Sequence, residues 1–394
     1  MQSPSIQAVL QLDASRLRHV RWEDAQGLGH FWNNNSLMGH YPSMVLTMLL
    51  LAAVPAAWAQ QWLPAASMTV PREQHAATAL ALSDDAVLVL GGYTGFGYSD
   101  DSEIYDVIND VWAPSGRLTV SRSDSTATLL PDGSVLAAGG WNVNHGDRWS
   151  PLNDTWAVTS SYAVPLWGGE TATLLPNGWV LVAGGDKDAS AQVYMATAGV
   201  WAATSPMNVA RLNHAATLLP SGAVLVTGGQ GSTGASASAE VYDHATVTWT
   251  LVASMKVARD SHTATLLADG ARVLVVCGEG TDGAALASAE LYDIATDTWT
   301  TTGSLASARL FHTATLLANG QVLVAGGRDG GKFLASVELY DPASGQWLWA
   351  EPMVSARVGH TATILSSGLV LIAGGYDGAN VVDTCQLFRV TLRL

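Results

Sequence analysis

Charge is what this sequence is short of. Asp, Glu, Lys and Arg make up 13% of its 394 residues, about half the share of an average soluble domain. Hydrophobic residues make up 48%, which excludes a disordered chain. Of the few charges, 33 are acidic and 18 basic, a net of −15. A surface of that sign repels phosphate backbones and excludes nucleic acid as a partner. Only two cysteines occur, Cys277 and Cys385, too few for a disulfide scaffold or a Cys-rich zinc site. There is no phosphate-binding loop, hydrolase triad or metal motif, and no helical period. What the chain does have is glycine, 39 residues, and tryptophan, 15 residues. Tight turns and aromatic packing units in such numbers indicate β structure.

The first sixty residues differ from the rest. Residues 44–59, MVLTMLLLAAVPAAWA, form an uncharged apolar run ending in Ala57-Trp58-Ala59. Its length and small-residue end fit a secretory signal cut after Ala59, and it is short for a membrane span. No basic residue precedes it closely, the nearest being Arg21; a start at Met38 or Met44 accounts for that. The other reading is a buried N-terminal helix. The expected organisation is an extension over 1–43, a signal over 44–59, and a secreted or periplasmic domain over 60–394 with no membrane span left after cleavage.

After Gln60 one unit repeats. A double glycine closes an apolar run at Gly91-Gly92, Gly139-Gly140, Gly184-Gly185, Gly228-Gly229, Gly326-Gly327 and Gly374-Gly375, and Cys277-Gly278 fills the gap. In phase come Trp62, Trp112, Trp156, Trp201, Trp249, Trp299 and Trp347, spaced by a mean of 47.5 residues. Each unit reads M-x-x-x-R-x-x-H-x-A-T-L-L-x-x-G-x-V-L-V-x-G-G, then a variable stretch, then A-E-x-Y-D-x-x-T-x-x-W. Thr-Ala-Thr-Leu-Leu is one short strand. Turns such as Leu317-Ala318-Asn319-Gly320 place Gly where positive φ is wanted. Val-Leu-Val-Ala, apolar on both faces, is a strand covered on both sides. Glu-Val-Tyr-Asp and Asp-Thr-Trp-Thr supply a third and a fourth. A four-stranded sheet covered by copies of itself is a propeller blade.

The Gly-Gly pair, then Tyr, then Trp, seven times in register over residues 62–388, resembles the kelch repeat. The fold expected is therefore all-β, a seven-bladed β-propeller of four-stranded kelch blades. The strand at Trp62 completes the last blade, which otherwise ends at Cys385-Gln386-Leu387-Phe388, and closes the ring. Galactose oxidase is similar in having such a propeller. Its copper site needs a Tyr cross-linked to Cys and an adjacent Tyr-His pair. This chain has no Tyr-His dipeptide, and neither cysteine has an assignable Tyr. The resemblance therefore implies no copper, and no cofactor is expected.

Three groups of residues are candidates for function. Arg72, Arg122, Arg211, Arg259, Arg309 and Arg357 share one repeat position before the first strand. As a ring at the channel mouth they would favour an anion; alternatively, each ties its loop to a neighbouring blade by backbone or Asp contacts, as a need recurring in every blade suggests. His75, His214, His262, His312 and His360 follow by three residues. Set around a ring, they do not converge as metal ligands must, so strand-end hydrogen bonding is expected. The third group breaks the repeat. Blade two has Ser125 for His and then Trp141, Asn144, His145, Asp147 and Trp149; blade three has Trp167 for Arg, Glu170 for His, and Trp179. Tryptophan among Asn, Asp, Glu and His suits a sugar ring, stacked below and hydrogen-bonded at its rim; the alternative is that these tryptophans fill gaps between blades. The function expected is a secreted, non-catalytic, monomeric module for a carbohydrate or protein ligand. A sugar-acting enzyme using Glu170 and Asp147 is the other reading.

Overall fold

Why the ring closes is visible in its innermost strands. In the computed structural model, which describes residues 58–80, 85–141, 143–166, 168–185 and 189–392, the first strand of each blade packs on the first strand of the next. Ala76–Leu80 meets Ser125–Leu129, and so on through Glu170–Leu174, Ala215–Leu218, Thr263–Leu266, Thr313–Leu316 and Thr361–Ile364, which returns to Ala76–Leu80. These seven strands surround the axis. Outward from each, the blade's other strands follow antiparallel and in chain order, except that the fourth strand of blade seven is Trp58–Ala65. No helix occurs among the described residues, so none is long and apolar enough to cross a membrane. The predicted extension and most of the predicted signal lie outside the described residues.

Blade six shows how the repeat builds its sheet. Val322–Ala325 is buried at every position, because neighbouring blades cover both of its faces. Each Val or Leu so buried contributes about 1.5–3 kcal/mol against the entropy of ordering it. The turn before it is closed by Gly320, at φ +85°, whose N–H bonds the Leu317 carbonyl at 2.9 Å. At its end Gly326 has φ +65°, and a Cβ there would lie 2.7 Å from the carbonyl oxygen of Arg357 in the next blade. Close approach between blades therefore requires glycine at this place. In the third strand Tyr340 pairs across to Trp347 of the fourth, ring centroids 5.1 Å apart.

The repeat tryptophan joins blades as well as filling them. Trp347 donates its indole N–H to the carbonyl of Gly303, in the chain leaving blade five, at 2.7 Å. Trp112, Trp249 and Trp299 do the same to Ala66, Ser205 and Ala253. In blades two and three Trp156 and Trp201 reach hydroxyls, Ser102 and Thr159, of the blade before. The seventh closes the ring: the strand Trp58–Ala65 is the fourth of blade seven, beside Cys385–Leu392, and Trp62 donates to Glu351 at 2.7 Å and lies 4.9 Å from Phe388. Both cysteines are buried and free, their thiols pushed up to about 12 by burial.

Candidate binding site at the mouth of the channel

The repeat arginines do not face the channel. All six are fully buried, and five form ion pairs inside their own blades: Arg72 with Glu103 at 2.7 Å, Arg122 with Asp147 at 3.3 Å, Arg211 with Glu240 at 2.7 Å, Arg259 with Glu290 at 3.0 Å and Arg309 with Glu338 at 2.8 Å. Each also donates to the carbonyl at the first position of its blade's double glycine. In blade seven the acid is replaced by Gln386, and Arg357 turns to Ser355 and Thr384 hydroxyls. The anion-binding ring expected as one reading of these residues is therefore corrected, as is the tie to a neighbouring blade: five guanidinium groups pair with an acid on the third strand of their own blade, and Arg357 bonds hydroxyls of its own blade.

The histidines form a girdle just inside. Nε2 of His75 lies 2.9 Å from Thr361 Oγ1, His214 2.8 Å from Thr171, His262 2.9 Å from Thr227, His312 2.9 Å from Thr263, and His360 3.1 Å from Thr313. All but that of His262 reach the first strand of the preceding blade. Desolvation holds all five well below 6.5, His214 and His360 at about 3, with the repeat arginines as a further cause. They are neutral, and no group of three or more His, Cys, Asp or Glu among the described residues could hold a metal.

The third group of predicted residues is divided. Trp149 is 2% exposed. It stands where other blades have the repeat Tyr, pairs across to Trp156, and donates to Asp154 at 2.9 Å. Asp147, fully buried, stands where other blades have Glu and is the partner of Arg122. Both are corrected from ligand contacts to framework. Trp141 is 61% exposed, at the end of the second strand. Asn144 is exposed beside it in the chain, with Oδ1 3.1 Å from His145 Nδ1. His145 is half-buried, its pKa lowered by desolvation and by Arg122. Trp179 lines a separate cavity with Asp132, Arg148 and Ala196, at the turns that join first to second and third to fourth strands, the end of the blades opposite Trp141. Trp167 lies outside the described residues.

Glu170 is buried beside the axis, where five other blades have histidine and blade two has Ser125. Its Oε1 accepts the Gly140 N–H at 3.0 Å, and Oε2 has no hydrogen-bond partner among the described residues. Desolvation raises its pKa to about 7, with the charge of Asp124 adding to the rise. A Cβ on Gly139 would overlap this carboxyl, so the glycine makes room for it.

What the sequence reading passed over is the second residue after each repeat arginine and, in blade three, the second after Trp167. Gln74, Asp124, Gly169, Asn213, Ser261, Phe311 and Gly359 all have φ between 50° and 71°. In this left-handed turn the N–H of one blade bonds the carbonyl of the one before: Asp124 to Gln74 at 2.8 Å, Asn213 to Gly169 at 3.0 Å, Ser261 to Asn213 at 2.8 Å, Gln74 to Gly359 at 2.8 Å. The backbone is thus a hydrogen-bonded belt, nearly the same in every blade, while the side chains it carries differ. Gln74, Asp124, Asn213, Phe311 and Gly359 line a funnel of about 570 Å³ whose wall also holds Glu73, Arg328, Phe333 and Tyr376. Glu73 and Asp124 are raised in pKa by desolvation within this concave wall. A signal for the belt was present: an R-x-x-H box, regular in five blades, whose two middle positions vary.

Blades four to seven, residues 213–393, match the KLHDC2/KLHL20/DRC7 Kelch-repeats domain. The chain is a seven-bladed propeller whose second half matches a kelch-repeat family. No curated protein matches the propeller's sequence. Among solved structures it is similar to a novel fungal alcohol oxidase with catalytic diversity among the AA5 family, in complex with copper. Identity to that protein is 16%, with a TM-score of 0.70 over 83% of this chain and 76% of the other. At that identity the likeness is one of fold. The five repeat histidines are each engaged with a threonine, and both thiols are buried.

Proposed function

We propose that the propeller is an exported, non-catalytic module that binds a carbohydrate in the funnel on the face bearing Trp141. One observation carries this: the belt position is the place near the axis where the blades share a backbone but not a side chain. A ligand without sevenfold symmetry needs such a place. Carboxylate and amide acceptors at Asp124, Asn213 and Gln74 suit sugar hydroxyls, and Phe311, Phe333 and Tyr376 offer ring faces for stacking. Trp141, Asn144 and His145 extend the same face over blade two.

A glycan array with the propeller, followed by titration of the best ligand against Phe311→Ala and Asn213→Ala, tests the reading. Binding lost in these variants at unchanged melting temperature supports it. Binding of protein segments but no glycan sinks the carbohydrate assignment.

A second reading, a sugar-acting enzyme, has one observation in its favour. A carboxyl with a pKa of about 7, as in Glu170, is poised for acid–base work at neutral pH. Its expected partner Asp147 is held by Arg122, so Asp124 would have to serve. Turnover of a bound sugar, abolished in Glu170→Gln, decides for this reading.

A further inference from the structure

Among the described residues lining the funnel, Arg328 is the one permanent cation. It is half-buried, on blade six, at the end of the second strand. Unlike five of the six repeat arginines it has no ion pair among the described residues, and unlike all six its guanidinium donates to no acceptor there. It is held instead over the ring of Phe311, 5.4 Å from guanidinium carbon to ring centroid, an arrangement that leaves the edges of the fork open.

The surroundings are built around this corner. Phe311 sits at φ +52° and is 40% exposed, a strained backbone for a bulky residue that persists where its surroundings hold it. Phe333 and Tyr376 meet edge to face at 5.3 Å. Gly378, at φ +103°, comes so close to Phe333 that a Cβ would lie 2.7 Å from its ring. Three aromatic rings thus flank one arginine whose donors are unspent. The acidic wall of the funnel lies elsewhere. Asp124 belongs to blade two, three blades from Arg328, the greatest separation a ring of seven allows, and Glu73 belongs to blade one.

We propose that this blade-six corner is a carboxylate subsite, and that the ligand is a glycan containing uronic acid. The inference rests on the carbohydrate reading above and adds the ligand's charge and orientation. The carboxylate takes the Arg328 fork and the sugar's CH face lies on the aromatic rings. Neighbouring hydroxyls point to Asp124, Asn213 and Gln74, which accept hydrogen bonds, while Asp124 and Glu73 would repel a second acidic group. An acidic peptide carries fewer hydroxyls for those acceptors, so the observations favour the sugar.

The test titrates the full chain with an oligosaccharide of neutral sugars carrying one terminal uronic acid and with its methyl ester, which keeps the rings and removes the charge. The acid form should bind about tenfold more tightly, the worth of one charge-assisted hydrogen bond, and the difference should shrink as salt rises. Arg328→Gln should abolish the difference, and Arg328→Lys should restore part of it, at unchanged melting temperature. Equal binding of acid and ester, or a difference that survives Arg328→Gln, overturns the carboxylate subsite and leaves the carbohydrate reading standing. Binding of an acidic peptide but neither glycan overturns both.

Discussion

His75 of blade one and Thr361 of blade seven share a hydrogen bond, Nε2 to Oγ1 at 2.9 Å. The two residues are at opposite ends of the propeller sequence, so the same contact that joins blade to blade elsewhere also closes the ring. It needs a neutral imidazole, because burial disfavours the charged form.

Acid should therefore open the propeller. The five girdle histidines have folded pKa values well below 6.5, two of them about 3, while an unfolded histidine titrates near 6.5. A depressed folded value means the contribution is fully present above about 6.5 and is lost as pH falls from there towards 3. Each histidine can cost up to about 1.4 kcal/mol per pH unit in that window. Thermal melts from pH 7.5 to 4.5 should show a steep fall beginning near 6.5. A flat melting temperature down to pH 5 would contradict the girdle.

Glu170 has the opposite sign. Its folded pKa of about 7 lies above the unfolded carboxylate value. Its contribution is present below about 4.5 and lost as pH rises to 7. Glu170→Gln keeps an acceptor for Gly140 and has no charge to bury. The variant should match the parent near pH 4.5 and be more stable at pH 8, by up to about 3 kcal/mol. Equal stability at pH 8 would mean the carboxyl is solvated.

The buried arginines make a prediction that distinguishes two glutamines. In blade seven Gln386 stands where four other blades have Glu, accepting the Val354 N–H at 3.2 Å beside Arg357. Gln386→Glu gives a buried cation its missing partner and should stabilise by about 1–3 kcal/mol. Blade three has Gln192 at the same place but no arginine, and its Oε1 has no partner among the described residues. Gln192→Glu buries a lone carboxylate and should cost ~3 kcal/mol or more. Denaturant titration of both variants reads the contrast, and the same sign in both would break the pairing rule.

Much of this was legible because the repeat is both local and long-range. Double glycine, Tyr and Trp are spaced by one blade, so their period yields blade number and the closing strand at Trp62. The role of the arginines was less so. Arg259 and Glu290 are both periodic, but they lie on segments 31 residues apart, and periodicity does not say which periodic residues touch. Blade two misled for a different reason. Asp147-Arg148-Trp149 is the Glu-x-Tyr of the third strand in altered residues, and its substitutions resemble a ligand loop until the cross-strand Trp156 is placed. The belt was missed because a left-handed turn tolerates Asp and Asn easily, but its occupation by Gln74, Ser261 and Phe311 follows from no local preference.

Export makes a separate prediction. The apolar run 44–59 ends inside the strand Trp58–Ala65, so cleavage after Ala59 leaves Gln60–Ala65, with Trp62, to complete blade seven. N-terminal sequencing of protein from the medium or periplasm should begin at Gln60. Cytoplasmic protein with its first residues intact would end the proposal.

The two tryptophans of blade two test where its individuality lies. Trp149 is 2% exposed and packs with Leu88, Leu90 and Val135 between blades one and two. Trp149→Ala removes a large core side chain and leaves a cavity, which should cost about 3–5 kcal/mol. Trp299→Ala, at the repeat position of blade five and 6% exposed, should cost a similar amount and also frees the Ala253 carbonyl. Trp141 is 61% exposed on the face of the funnel. Its loss should leave the melting temperature within a degree or two of the parent, since most of its surface is already in water. Stacking on one exposed aromatic is worth on the order of 1 kcal/mol, so Trp141→Ala should weaken glycan binding several-fold. Melting curves and titrations on the three variants separate the roles. A Trp141→Ala variant as unstable as Trp149→Ala, with ligand binding unchanged, would make Trp141 a packing residue and confine the ligand to the funnel.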